Sequence, residues 1–160
     1  TWISLNTIYE CINVLKNEID IHENTKFEMT ISNKYNDRIE TENDEKLIEL
    51  KNLTLYGRLD IIDDKTIYEL KCVNNLTLEN YIQVVVYCWL YGTVYGIQEL
   101  RNKKIRLMNI RTGQVKELIY DIKKINEIMK ILYYNKFESD KVLNDEKFLN
   151  DLLNVWQKYF

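Results

Sequence analysis

Asp60, Glu69 and Lys71 lie within one short stretch, in the strings Gly57-Arg58-Leu59-Asp60-Ile61-Ile62 and Tyr68-Glu69-Leu70-Lys71. Two carboxylates and an amine so close in sequence can hold a divalent cation and handle a reacting water, provided the chain brings them to one face. Asp63, Asp64 and Lys65 between the two strings are turn formers, which predicts a hairpin of strands Leu53 to Ile62 and Thr66 to Val73. With the turn centred between Asp64 and Lys65, Asp60 faces Glu69, Leu59 faces Leu70 and Ile61 faces Tyr68. One face is then apolar (Leu59, Ile61, Tyr68, Leu70), and the other gathers Asp60, Glu69 and Lys71.

Carboxylates directly across a sheet repel at a cost of about 0.2–1 kcal/mol, so folding alone gives no reason to place them there. A cation between them removes the repulsion, and Mg²⁺ is held by one or two carboxylates together with water and phosphate oxygens. Lys71, two residues beyond Glu69 on the same face, can then orient or deprotonate the water that attacks phosphorus. On its own, an Asp followed nine residues later by Glu-x-Lys is a common string in a charged protein. Its context here is the hairpin parity, Gly57, and Gln83 and Tyr87, one turn apart on the helix that follows.

The surrounding pattern supplies the elements that must position these groups. Ile8, Ile12 and Leu15 predict an N-terminal helix with these three inward, ended by the polar run Asn17 to Lys26. Phe27, Met29 and Ile31 alternate with polar residues from Lys26 to Ser32, the period of a half-buried strand. Asn33 to Lys46 reads as a solvated loop. Thr77 is the expected N-cap of an apolar helix through Val84, Val85, Cys88, Trp89 and Leu90, ended by Gly92 and Gly96. A second hairpin is predicted from Ile105 to Ile110 and Val115 to Tyr120, turning at Arg111-Thr112-Gly113-Gln114. Asp121 then caps a helix with Ile122, Ile125, Ile128 and Leu132 on one stripe, and a last helix turns Phe148, Leu152, Val155 and Tyr159 inward. The order predicts an α/β or α+β fold, with one central mixed β-sheet flanked by helices.

The chain has 160 residues, 46% hydrophobic and 12% aromatic, which suffices for one domain with its own core and excludes disordered and collagen-like classes. Its longest apolar stretch, around residues 84–91, falls short of the roughly 18 residues of a spanning helix, so no membrane partner is expected and an intracellular, soluble protein is. Cys11, Cys72 and Cys88 form no Cys-x-x-Cys pair, which suits a reducing compartment and excludes a four-cysteine iron–sulfur cluster. The sequence starts at Thr1, consistent with a single domain over residues 1–160 cut from a longer polypeptide. The net charge of −3 argues at face value against a nucleic acid, but it is an average. Residues 1–70 hold 8 basic and 15 acidic side chains, net −7, and residues 71–160 hold 14 and 10, net +4. Arg101, Lys103, Lys104, Arg106, Arg111, Lys116, Lys123 and Lys124 crowd the second hairpin and its helix, where a phosphate backbone could be tracked.

The order G-R-x-D, short turn, E-x-K, then Q-x-x-x-Y on the next helix resembles the PD-(D/E)XK nuclease superfamily, most closely its RecB-like branch. The resemblance covers most of the chain and implies a restriction-endonuclease-like core with metal-dependent hydrolysis of DNA phosphodiester bonds in repair, recombination or replication. It implies Mg²⁺ or Mn²⁺ held by Asp60 and Glu69, with the backbone carbonyl of Leu70 completing the coordination and Lys71 as the catalytic lysine. Gln83 and Tyr87 support the site or contact DNA, and an attached or associated helicase is an expected partner. Glu28 stands where many members carry an upstream acid; the other reading is a solvent-facing acid on an edge strand. Arg58 could contact a phosphate or be a solvated strand residue, and Gln83 could equally bond a neighbouring backbone. Leu59 stands where the branch commonly has proline, no Gly-x-x-x-His occurs in the first helix, and the iron–sulfur cysteines of some relatives are missing. A non-cleaving nucleic-acid-binding or scaffolding module of a helicase or repair assembly, and an RNA endonuclease, remain the alternatives.

Overall fold

A computed structural model describes residues 4–34, 47, 54–119, 121–137 and 145–159. The order is α1 (Leu5–Glu18), β1 (Lys26–Ser32), β2 (Tyr56–Ile62), β3 (Thr66–Lys71), α2 (Leu78–Tyr95), α3 (Ile97–Arg101), β4 (Lys104–Asn109), β5 (Gln114–Glu117), α4 (Ile122–Phe137) and α5 (Asp145–Tyr159). The strands form one five-stranded mixed sheet in sequence order. β1, β2 and β3 make an antiparallel meander, β3 and β4 run parallel across the α2–α3 crossover, and β4 and β5 form an antiparallel hairpin. The fold is therefore α+β, with α2, α4 and α5 packed on one face and α1 on the other.

The larger core lies under α2. Val84, Val85, Cys88, Trp89 and Leu90 meet Leu59, Ile62 and Ile67 of the first hairpin, Ile105 and Leu107 of β4, Ile122, Ile125, Ile128 and Met129 of α4, and Leu152 of α5. A helix this apolar on most sides can only be stable when covered, and α4 and the sheet cover it. Thr77 starts α2 as expected, its amide donating to Asn80 Oδ1 at 3.0 Å. Gly96, at φ +94°, ends it. Gly92 does not. It is buried inside the helix, where a Cβ would lie 2.7 Å from Leu47 Cδ1 and 2.9 Å from Leu100 Cδ2, so its lack of a side chain admits two leucines.

Asp63 builds the tight turn of the first hairpin. Its Oδ1 accepts from Lys65 N at 2.7 Å and Thr66 N at 2.6 Å, and Lys103 Nζ donates to the Asp63 and Asp64 carbonyls. Asp121 caps α4 through Lys123 N at 2.7 Å. Ser4 caps α1, but the inner face of that helix differs from the expected stripe: Ile8 and Ile12 are exposed, Cys11 is buried, and Val14, Leu15 and the following Ile19 pack in one cluster with Ile61, Tyr68 and Met108. The apolar patch on that side of the sheet is small, and only the C-terminal half of α1 reaches it. Phe27, expected inward, is likewise exposed, while Ile31 is buried. Leu53, Tyr120, residues 35–46 of the expected loop, and the side chains of Val155 and Tyr159 lie outside the described residues.

Asn109, at the C-terminal end of β4, is fully buried. Its Nδ2 donates to Val73 O at 2.9 Å, and its Oδ1 accepts from Val73 N at 3.3 Å and Arg111 N at 3.2 Å. The amide thus ties the segment leaving β3 to the β4–β5 turn. Asn109→Ala removes a buried amide that serves three part-buried backbone groups and is expected to cost about 1–3 kcal/mol. Thermal unfolding should show this as a fall of about 2–4 °C per kcal/mol; an unchanged Tm would count against the clamp.

Candidate functional site

Asp60 and Glu69 do reach one face of the sheet, by a route that simple alternation does not give. The first hairpin has the expected register at its turn end, Ile61 opposite Tyr68 and Ile62 opposite Ile67. Leu59 and Ile62, three residues apart, nevertheless pack into the same core, whereas Ile61 packs into the other. A strand of strict period two puts positions three apart on opposite faces, so β2 changes phase around Asp60. Across on β1, Glu28 adopts φ +52°, a left-handed conformation in a non-glycine residue. The expected apolar face of Leu59, Ile61, Tyr68 and Leu70 is thereby split, with Leu59 moved to the α2 side.

At the break the ladder is replaced by a side-chain bond. Leu70 N donates to Asp60 Oδ2 at 2.7 Å, so Leu70 holds this carboxylate through its amide, a contact separate from the carbonyl that the family resemblance implies as a ligand. Glu69 lies in register with Leu107 on the α2 side and is only 5% exposed. Its Oε1 accepts from Lys71 Nζ at 2.6 Å, and Lys71 is itself 19% exposed. Its Oε2 is buried without a hydrogen-bond partner among the described residues. The neighbouring Asp60 can share a hydrogen bond with Glu69 only when one of the two carboxyls carries a proton, and that contact favours neutral Glu69. Burial pushes the Glu69 carboxyl above the usual range and the Asp60 charge adds to that, with Lys71 acting in the opposite direction.

The flanking candidates divide. Gln83 and Tyr87 share one face of α2, with Gln83 Nε2 donating to Tyr87 Oη at 3.1 Å; this bond replaces the backbone link that a buried glutamine otherwise needs. The Tyr87 ring lies against β2 at Gly57, where a Cβ would come within 3.0 Å of Cε1. Glu28 and Arg58 are held to each other at 2.6 Å, with side chains 58% and 67% exposed, respectively. Glu28 is thus engaged by Arg58 rather than by the carboxylate pair. Among the described residues, no group of three or more His, Cys, Asp or Glu side chains is placed to hold a metal ion. The site is a two-carboxylate pair with a lysine.

Of the basic residues, Lys103 is occupied by the first hairpin's turn and Arg106 by Glu117 at 3.0 Å, a hydrogen bond that holds the Arg106 guanidinium above its usual range. Lys104, Arg111, Lys116 and Lys123 are exposed. Sequence reasoning missed Asn109. Its signal was a lone amide in the apolar run Leu107-Met108-Asn109-Ile110, where a polar side chain has to be satisfied. No protein-family model, curated protein or solved structure matches the chain. No helix among the described residues is long and apolar enough to cross a membrane.

The strain on Glu69 gives a stability test. Its raised carboxyl means that the fold favours the neutral form, so native stability falls as pH rises from the ordinary value of 4.5 through the folded one, and stays lower above it. Glu69→Gln is therefore expected to melt above the wild type at pH 7 in chelator, with the advantage shrinking as pH falls toward 4.5. An advantage independent of pH would trace the gain to packing instead.

Proposed function

We propose that this protein is a Mg²⁺- or Mn²⁺-dependent nuclease that hydrolyses DNA phosphodiester bonds. The observation that carries the reading is the buried, partnerless Glu69 Oε2 beside Asp60, with Lys71 held at 2.6 Å on the other oxygen of the same carboxylate. Two like charges and an orphaned acceptor are costly in a protein interior. A hard divalent cation with oxygen ligands relieves both, so the residues present fit one.

Asp60 and Glu69 are the groups that would hold the ion, which supplies Lewis-acid stabilisation of the charge developing on the phosphate. The chain's own contributions follow from the geometry. The Leu70 amide fixes Asp60 Oδ2, so this ligand is preorganised by the backbone of the strand that carries Glu69. Lys71 carries protons to donate and is oriented by Glu69 Oε1; it positions the attacking water or a non-bridging phosphate oxygen. Gln83 and Tyr87, bonded to each other, give α2 a polar pair beside β2 at Gly57. The exposed Arg58 can exchange Glu28 for a phosphate, a bidentate partner suited to a guanidinium. Association with a helicase and a role in DNA repair, recombination or replication belong to the same proposal.

The purified chain is expected to cleave DNA with Mg²⁺ or Mn²⁺ and to stop on chelation, in assays run in parallel on single-stranded DNA, double-stranded DNA and RNA. Lys71→Ala should lower the rate by about 10²–10⁴-fold, the usual worth of a positioned proton-transfer group, and Asp60→Ala should abolish metal-dependent cleavage. Inactivity on every substrate, or full activity in both variants, would sink the proposal; preferential cleavage of RNA would reassign the substrate. Independently of turnover, Mn²⁺ at about 100 times its Kd should stabilise the native state by about 2.7 kcal/mol, an effect lost in Asp60→Ala.

A further inference from the structure

We propose that Glu28 is a two-position carboxylate that couples substrate binding to cation binding: it neutralises Arg58 in the free protein, and a substrate phosphate that takes its place at Arg58 releases it toward Asp60. The inference rests on the nuclease reading for the identity of the two ligands. Register sets up both positions. Across the β1–β2 ladder Phe27 faces Ile61 and Met29 faces Leu59, so Glu28 falls against Asp60, while Arg58 faces Thr30. Carboxylates directly across a ladder repel, and the diagonal neighbour is still within reach of a long side chain. Glu28 takes the diagonal, with its Oε2 2.6 Å from Arg58 Nε.

The backbone is unusual at the same residue. Glu28 alone of the described non-glycine residues has a positive φ, +52°, a conformation that glycine would adopt without strain. Asp60 is fixed from its other side by the Leu70 amide at 2.7 Å, so of the two facing carboxylates Glu28 is the one free to turn. An ion pair as solvated as Glu28–Arg58 is also weak enough to exchange. Two ligands then act on one side chain. A nucleic-acid phosphate offers the Arg58 guanidinium a bidentate partner and displaces Glu28. A divalent cation at Asp60 and Glu69 turns the field that Glu28 meets on that side from repulsive to attractive. Each ligand favours the position of Glu28 that the other needs, and because a coupling free energy is reciprocal, each tightens the other by the same factor. Without the cation, the phosphate has to compete with Glu28.

The test measures binding rather than turnover, with a fluorescent phosphorothioate-linked single-stranded oligonucleotide as the probe and thermal unfolding as the check that each variant is folded. In chelator, Glu28→Gln should bind the probe about 1.5- to 5-fold more tightly than the wild type, the usual worth of an exposed ion pair, and this gain should vanish in an Arg58→Gln background. In calorimetric titrations, the probe should tighten Mn²⁺ binding more in the wild type than in either Glu28→Gln or Arg58→Gln. A gain that persists without Arg58 is a plain effect of net charge and would overturn the displacement, as would failure of Glu28→Gln to bind the probe in chelator. Equal enhancement of Mn²⁺ binding in all three proteins would overturn the coupling while leaving the nuclease reading in place. Absence of Mn²⁺ binding in every protein would overturn the coupling and that reading together.

Discussion

The hydrogen bond from the Leu70 amide to Asp60 Oδ2 is the contact around which the first hairpin is organised. A regular antiparallel ladder would pair backbone with backbone at this point and hold β2 in strict alternation. The side chain takes that place, and β2 changes phase, sending both Leu59 and Ile62 into the α2 core while Ile61 remains on the α1 side. The left-handed backbone of Glu28 across the β1–β2 ladder marks the same irregularity. Such breaks are found where a sheet must re-aim a side chain. Here the group re-aimed is a carboxylate, and the neighbour it meets is another carboxylate on the same strand as its amide donor.

Burial of Glu69 sets the electrostatic character of this region. A carboxylate 5% exposed loses most of its hydration; Lys71 compensates at one oxygen, and among the described groups nothing compensates at the other. The surrounding core can carry this cost because it is extensive: Trp89, Leu90, Leu107, Ile125, Ile128, Met129 and Leu152 are all essentially inaccessible on the same side of the sheet. A site built on two strands with a packed helix over it is also rigid, which favours a preorganised arrangement over one assembled on binding. The second layer follows the same logic, since Asn109 ties the segment leaving Lys71 to the β4–β5 turn, by two bonds to Val73 and one to Arg111, and Tyr87 rests against the bare backbone of Gly57.

Charge elsewhere is spent in part on the fold. Lys103 steadies the turn between β2 and β3, and Arg106 pairs with Glu117 across the second hairpin, so the basic composition of residues 71–160 overstates the charge presented to a partner. The Glu28–Arg58 pair is largely solvated and correspondingly weak, of the order of 1 kcal/mol or less. It can open without disturbing the core, unlike the buried Glu69–Lys71 pair.

The sequence alone determined the element order apart from the short helix α3, the hairpin turn at Asp63, the cap at Thr77, the α+β class and the proximity of Asp60, Glu69 and Lys71, because each follows from local periodicity, turn chemistry or short-range register. It could not determine which face of α1 is inward, since Ile8 and Ile12 satisfy helical spacing as well as Cys11 and Val14 do; the extent of the patch they meet decided it. Gly92 read as a helix end for the same reason, a local signal that Leu47 and Leu100 overrode by packing against it. Glu28 and Arg58 stand near Asp60 in register, yet pair with each other. The phase change at Asp60, the clamp at Asn109 and the orphaned oxygen of Glu69 belong to the tertiary structure alone: period two is a property of an undisturbed strand, and whether a polar atom finds a partner depends on groups that only the folded chain brings near.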